Sequence, residues 1–342
     1  MKPRAILLLT LLACAVLSAA ASFRVDAASP AVVIRYDGSV SGTSRILRSG
    51  STYTFTGDVN GTLFVNRDNV VIDGAGYTLQ GTGVWELKGV DLTARQNVTV
   101  KNLAVKSFQF GVWMERSRSN TIINCNITWN GFWGVKVCNS STWNTIQSCS
   151  FANNYQGAVQ VYGGSSGNMF SGNTIGAHAK GISIAQSEGN TVSGNEFDDN
   201  DDGIVLAADR NTIAGNTFTG SFNRAVFLNA AHENNITAND ISDCGVGVLC
   251  SASKNNVVSG NDFVGNYIQA LTFNATDMWT GNFWSDYNGT GTQPYVIDAV
   301  NRDSQPLLET SVIPEFPLSA VPAFLAGAAL VAVVAKKRMR RS

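Results

Sequence analysis

Residues 190–206 read NTVSGNEFDDNDDGIVL, and residues 211–228 restate the pattern as NTIAGNTFTGSFNRAVFL. Working outward, related copies begin at Asn120 (NTIINCNI), Asn144 (NTIQSCSF), Asn168 (NMFSGNTI), Asn234 and Asn256. Successive starts lie 24, 24, 22, 21, 23 and 22 residues apart. A degenerate copy starts at Asp277, with Trp279, Asn282 and Trp284 in register, and two less regular copies start at Asn69 and Asn97. Most copies carry a second apolar run (GVKV, GAVQV, GISI, GIVL, AVFL, ALTF). A short fixed period with two or three β-type runs cannot bury a core alone, but stacked copies can. No stretch has the sustained 3.6-residue periodicity that helical repeats need. The spacing therefore predicts an all-β, right-handed parallel β-helix of about ten coils. The Gly- and Asn-rich bends supply left-handed backbone for its corners. At the sixth position of each copy, Asn173, Asn195, Asn216, Asn239, Asn261 and Asn282 should stack as an amide ladder, a structural role.

The two ends differ from this body. Residues 1–28 have a basic lead, an apolar run and small residues, the pattern of a secretory signal. Leu318 to Ala335 is uncharged and is followed by five basic residues, the pattern of a single membrane span with a cytoplasmic tail. The expected organisation is a signal peptide at 1–28, an N-terminal cap at 29–68 and repeats at 69–284. A C-terminal cap and linker at 285–313 and an anchor at 314–342 complete it. The whole chain carries −1; residues 1–28 carry +2 and the basic tail +5, which leaves −8 for the rest. An exported acidic body excludes nucleic acid as a partner and places the protein on the cell surface, outside the cytoplasmic membrane.

Two resemblances follow from these residues. Pro314-Glu315-Phe316, the apolar stretch and the basic tail resemble the PEF-CTERM sorting signals of archaeal surface proteins. That resemblance implies a sorting enzyme acting at the motif, with lipid attachment of the product. RDNVVIDGAGYTLQGTG, the NTIxGNxF…GIxL repeats and GNFWSDY…PYVID resemble the β-helix proteins grouped with the periplasmic copper-binding NosD family, especially archaeal surface members. The name implies copper, but soft copper sites need clustered Cys, Met or His. His178 and His232 fall at different repeat positions, and Met114, Met169 and Met278 are isolated, so tight copper binding is not expected. Relatives carry an Asp- and Gly-rich loop between WSDY and PYVID; NGTGTQ is short, and no calcium site is expected there.

The candidate site lies on the loop column eight to thirteen residues into each copy. Trp129, Trp133 and Tyr155 precede His178 and Lys180, then Asp198, Asp199, Asp201 and Asp202, then Arg224. Aromatic faces pack on sugar rings and polar groups bond hydroxyls, so this edge is the candidate for binding a glycan or envelope polymer. Asp199, Asp201 and Asp202 are the candidate calcium ligands, although Asp-Asn-Asp-Gly is also ordinary turn chemistry. Lys180 and Arg224 on flanking coils could instead pair with the aspartates. Cys125 and Cys149 share the sixth position in consecutive coils, a spacing compatible with a disulfide. Seven N-x-[ST] sequons occur, of which Asn139, Asn274 and Asn288 sit best for glycosylation. No catalytic residues stand out. The expectation is a membrane-anchored, non-catalytic carbohydrate-binding or envelope module, the alternative being a polysaccharide lyase, hydrolase or epimerase on the same edge.

Overall fold

A computed structural model describes residues 31–81 and 88–311. The expected signal peptide, the Pro314-Glu315-Phe316 motif and the apolar stretch after it lie outside the described residues. Three sheets of twelve, fourteen and eleven strands run the length of the molecule, and no helix occurs among the described residues. One coil shows the path. Thr121–Ile123 lies in the first narrow sheet, Asn126–Thr128 in the second, and Trp133–Cys138 in a broad sheet. The chain then returns to pair Thr145–Gln147 in parallel with Thr121–Ile123. About eleven such turns, each rising about 4.8 Å, give a rod roughly 50 Å long.

Corner geometry is dictated locally. Between the narrow sheets the turning residue has positive φ in nine consecutive coils, from Asn102, Asn124 and Ser148 through Gly172, Gly194, Gly215 and Ala238 to Gly260 and Gly281. The residue after it points inward. From Asn173 to Asn282 every such residue is a buried asparagine. Each donates its Nδ2 to the Oδ1 of the next, at 2.8–3.0 Å. A second ladder, from Asn120 through Asn144, Asn168, Asn190, Asn211 and Asn234 to Asn256, fills the corner between the broad sheet and the first narrow sheet. These amides satisfy backbone groups that the bends remove from the sheets.

Apolar side chains fill the space between the sheets. Ile122, Ile146, Phe170, Val192, Ile213, Ile236 and Val258 stack down the first narrow sheet with no exposure. Phe197 and Phe218 stack face to face at 4.6 Å in the second. Parallel stacking begins before residue 69: Thr52–Phe55 pairs with Val70–Asp73, and Leu63–Val65 already belongs to the broad sheet. Part of the segment expected as a cap is thus the first coil, and the turns number about eleven.

Candidate functional site

The aspartate run is dispersed by its corner. Asp198 ends the strand Glu196–Asp198, and Asp199, at φ 50, is the left-handed turning residue. Asn200 points inward, Asp201 is exposed, and Asp202 opens the broad strand Asp202–Ala207. There Asp202 is buried and accepts two hydrogen bonds of 2.7 Å from Nε and Nη2 of Arg224 in the next coil. Arg224 also lies over the Phe227 ring at 4.1 Å. The expected pairing forms with Arg224, while Lys180, half-buried one coil earlier, makes no ion pair among the described residues. Asp199, Asp201 and Asp202 therefore do not converge as a calcium cage. Among the described residues no group of three or more His, Cys, Asp or Glu side chains could hold a metal.

Two other expected groove residues prove buried. His178 is buried in a third ladder, which runs from Asn130 and Asn154 through His178 to Asn200. Asn154 Nδ2 meets His178 Nε2 at 3.2 Å, and His178 Nδ1 meets Asn200 Oδ1 at 3.2 Å. The ladder's polarity makes Nε2 the acceptor and Nδ1–H the donor, a neutral imidazole. Burial pushes its pKa down to about 4, opposed in part by the Asn200 bond. Trp133 opens the strand Trp133–Cys138 and is buried, its ring lying over Gly157. A Cβ at Gly157 would come within 2.3 Å of that ring. The indole Nε1 is buried without a hydrogen-bond partner among the described residues, as is Gln160 Oε1.

What remains on the edge is aromatic and exposed. Trp129 is 64% and Tyr155 73% exposed, with Phe222 at 79% and Tyr267 at 89% further along. Beside them, on the outer face of the broad sheet, Phe110 packs edge-on against Trp113 (4.8 Å) and Phe132 (5.6 Å). Lys136 Nζ sits 5.3 and 5.2 Å from the Phe110 and Trp113 rings and makes no ion pair among the described residues. Lys88 lies over Trp113 at 4.4 Å but pairs with Asp91. These aromatics and lysines were not all singled out in the sequence, because a single outward strand position carries no periodic signal.

One carboxylate pair was also unforeseen. Asp240 and Asp262 are cross-strand partners on the second narrow sheet. Burial pushes the Asp240 carboxyl up, and the neighbouring Asp262 adds to the shift. Asp262 accepts the N–H and hydroxyl of Ser311, each at 2.8 Å. Cys125 and Cys149 are adjacent in their ladder, yet both are free thiols. Cys149 Sγ accepts the Cys125 N–H at 3.5 Å, the contact that the amide oxygens make elsewhere in the ladder. Asn139, Asn274 and Asn288 are all exposed.

Known proteins bear on this geometry as follows. Residues 159–289 match the family described as periplasmic copper-binding protein (NosD), and residues 46–197 match the right-handed β-helix region. The donors that copper prefers do not fit such a group here: His178 and all five described cysteines are buried, and Met114 lies in the core. A search of curated proteins finds no sequence match. The fold is similar to the periplasmic alginate epimerase AlgG, at 10% identity over 68% of this chain and 80% of that one (TM-score 0.55). It is similar also to a hyperthermoactive exopolygalacturonase from Thermotoga maritima, at 11% identity over 68% and 75% (TM-score 0.52). DFA-IIIase from Arthrobacter chlorophenolicus A6 matches at 13% identity over 73% and 71% (TM-score 0.52). At such identities the likeness is one of fold. The chain is a right-handed parallel β-helix repeat protein, similar over residues 159–289 to the NosD family.

Proposed function

We propose that this protein is a non-catalytic, carbohydrate-binding module held on the outer face of the cytoplasmic membrane. The carrying observation is the row of exposed aromatic side chains, Trp129, Tyr155, Phe222 and Tyr267, along one edge of a rigid rod. Large flat apolar faces left in water one, three and two coils apart suit the ring faces of a polymer, with Asp and Asn available to its hydroxyls. Similarity of fold to proteins named for alginate and polygalacturonate supports a saccharide ligand by analogy only. A glycan array on the full chain, followed by incubation with each retained glycan, tests this. Retention without release of shortened or epimerised product is the expected result; no retention overturns it.

An enzymatic reading rests on Asp240 beside Asp262, since a carboxyl whose pKa is raised by burial and a neighbouring like charge has the tendency a general acid needs. Turnover that disappears in Asp240→Asn would establish it in place of the first reading. Location has its own test. The sorting motif predicts a mature chain ending near Pro314-Glu315-Phe316, and recovery of the intact basic tail from native membranes by mass spectrometry would leave an ordinary single-span anchor.

A further inference from the structure

The aromatic edge changes character along the rod. Between residues 88 and 143 seven Lys and Arg face two carboxylates, whereas from 188 to 311 sixteen carboxylates face four Lys and Arg. Phe222 and Tyr267 lie in the acidic half, at the same corner position two coils apart, a separation of about 9.6 Å. The coil between them places Gly245 at that position. A Cβ there would lie 2.4 Å from the Phe222 carbonyl oxygen, so the residue between the two rings is held to glycine and the gap stays open. The result is a cleft of about 450 Å³, lined by Phe222, Gly245, Tyr267 and Asp243.

Each ring has the same companion. Asp199 Oδ1 lies over Gly220, two residues before Phe222, and Asp243 Oδ1 lies over Gly265, two residues before Tyr267. Both aspartates are left-handed corner residues and exposed. The edge thus repeats one unit, a ring face with a carboxylate beside it, at an interval close to the length of a disaccharide.

Resting on the carbohydrate reading above, we propose that Asp199–Phe222 and Asp243–Tyr267 are two equivalent subsites. They hold alternate units of an extended polysaccharide running parallel to the rod axis, each ring face stacked on an aromatic and each hydroxyl or amide N–H donated to a carboxylate. The ligand is a neutral or N-acetylated hexose polymer. Polyuronates are excluded from this edge, because their carboxylates would meet the acidic half of the rod.

Isothermal titration of the full chain in detergent with three hexamers tests this: N-acetylglucosamine, glucose in β-1,4 linkage, and galacturonate. At least one uncharged hexamer should bind at least tenfold more tightly than hexagalacturonate, and more tightly than its own disaccharide, which fills one subsite. Phe222→Ala and Tyr267→Ala, both at exposed positions, should each weaken binding about tenfold, the loss of one ring stack. The double variant should abolish it. If both variants bind unchanged while Lys136→Ala removes binding, the subsites are wrong and the carbohydrate reading stands on the broad sheet instead. Preference for hexagalacturonate would overturn the charge argument, and no binding of any hexamer would overturn both readings.

Discussion

His178 stands where neighbouring coils place asparagine, and an imidazole differs from an amide in one respect that can be measured. Its pKa falls from 6.5 to about 4 on folding, chiefly through burial between Asn154 and Asn200. Unfolded chains therefore bind a proton below pH 6.5 that the native state refuses until about pH 4. Stability should be unaffected above pH 6.5, fall as pH drops through that window, and level off below it, by about 3 kcal/mol in all. Urea denaturation from pH 7 to pH 4 should show this fall, and His178→Asn should remove that part of it. Equal acid sensitivity in both proteins would refute the assignment. At the same scale, burial pushes the Cys138, Cys244 and Cys250 thiols up, away from the reactive thiolate. Native protein should resist iodoacetamide, and non-reducing peptide maps should show Cys125 and Cys149 free. A linked pair would restore the disulfide expectation.

The elements most open to single changes are the ladders, since each amide serves three coils at once. Asn216 donates to Val192 O and Asn239 Oδ1 and accepts from both the N–H and Nδ2 of Asn195. Asn216→Ala strands these groups in a dry interior and should cost about 3 kcal/mol by denaturant midpoint. Conversely, Cys149→Asn extends the ladder by one member toward Cys125 and should stabilise by about 1 kcal/mol. The sixth-position ladder was legible because Asn recurs there without exception from Asn173 to Asn282. The third ladder was not, because its members are mixed (Asn130, Asn154, His178, Asn200) and the loops after them differ in length. That variation also moved Trp133 from the expected groove onto a strand. Adjacent aspartates suggested one site, but a left-handed residue at Asp199 turns the chain, so sequence neighbours face different ways. The open gap between Phe222 and Tyr267 was equally hidden, since it depends on Gly245 one coil away from each.

Taken as a whole, a solenoid has neighbours only above and below each coil, so its ends carry the exposed sheet edges and the unpaired ladder groups. The C-terminal end closes two ladders with residues of the final segment. Asn301 Oδ1 accepts the Asp277 N–H at 3.0 Å. Asp303 is buried and accepts from Asn282 N (2.8 Å), Asn282 Nδ2 (3.0 Å) and Trp284 Nε1 (3.1 Å) through one oxygen. Its other oxygen takes Gly281 N at 3.1 Å and Gln305 N at 3.0 Å. Above this, Phe263, Trp284 and Tyr295 stack at 4.4 and 4.1 Å, so the cap and the last coils form one packed unit. Removing the Asp303 carboxylate strands five donors together and should unseat the stack. Asp303→Ala is expected to cost about 4 kcal/mol, well above a single ladder position, because charge-assisted bonds are lost and buried donors remain. Asp303→Asn keeps one acceptor oxygen and should recover about half of that. Because an unseated cap bares parallel strand edges, Asp303→Ala should also associate end to end, seen as concentration-dependent growth in light scattering. A variant that stays monomeric with unchanged denaturation would show that closure of the rod does not depend on Asp303.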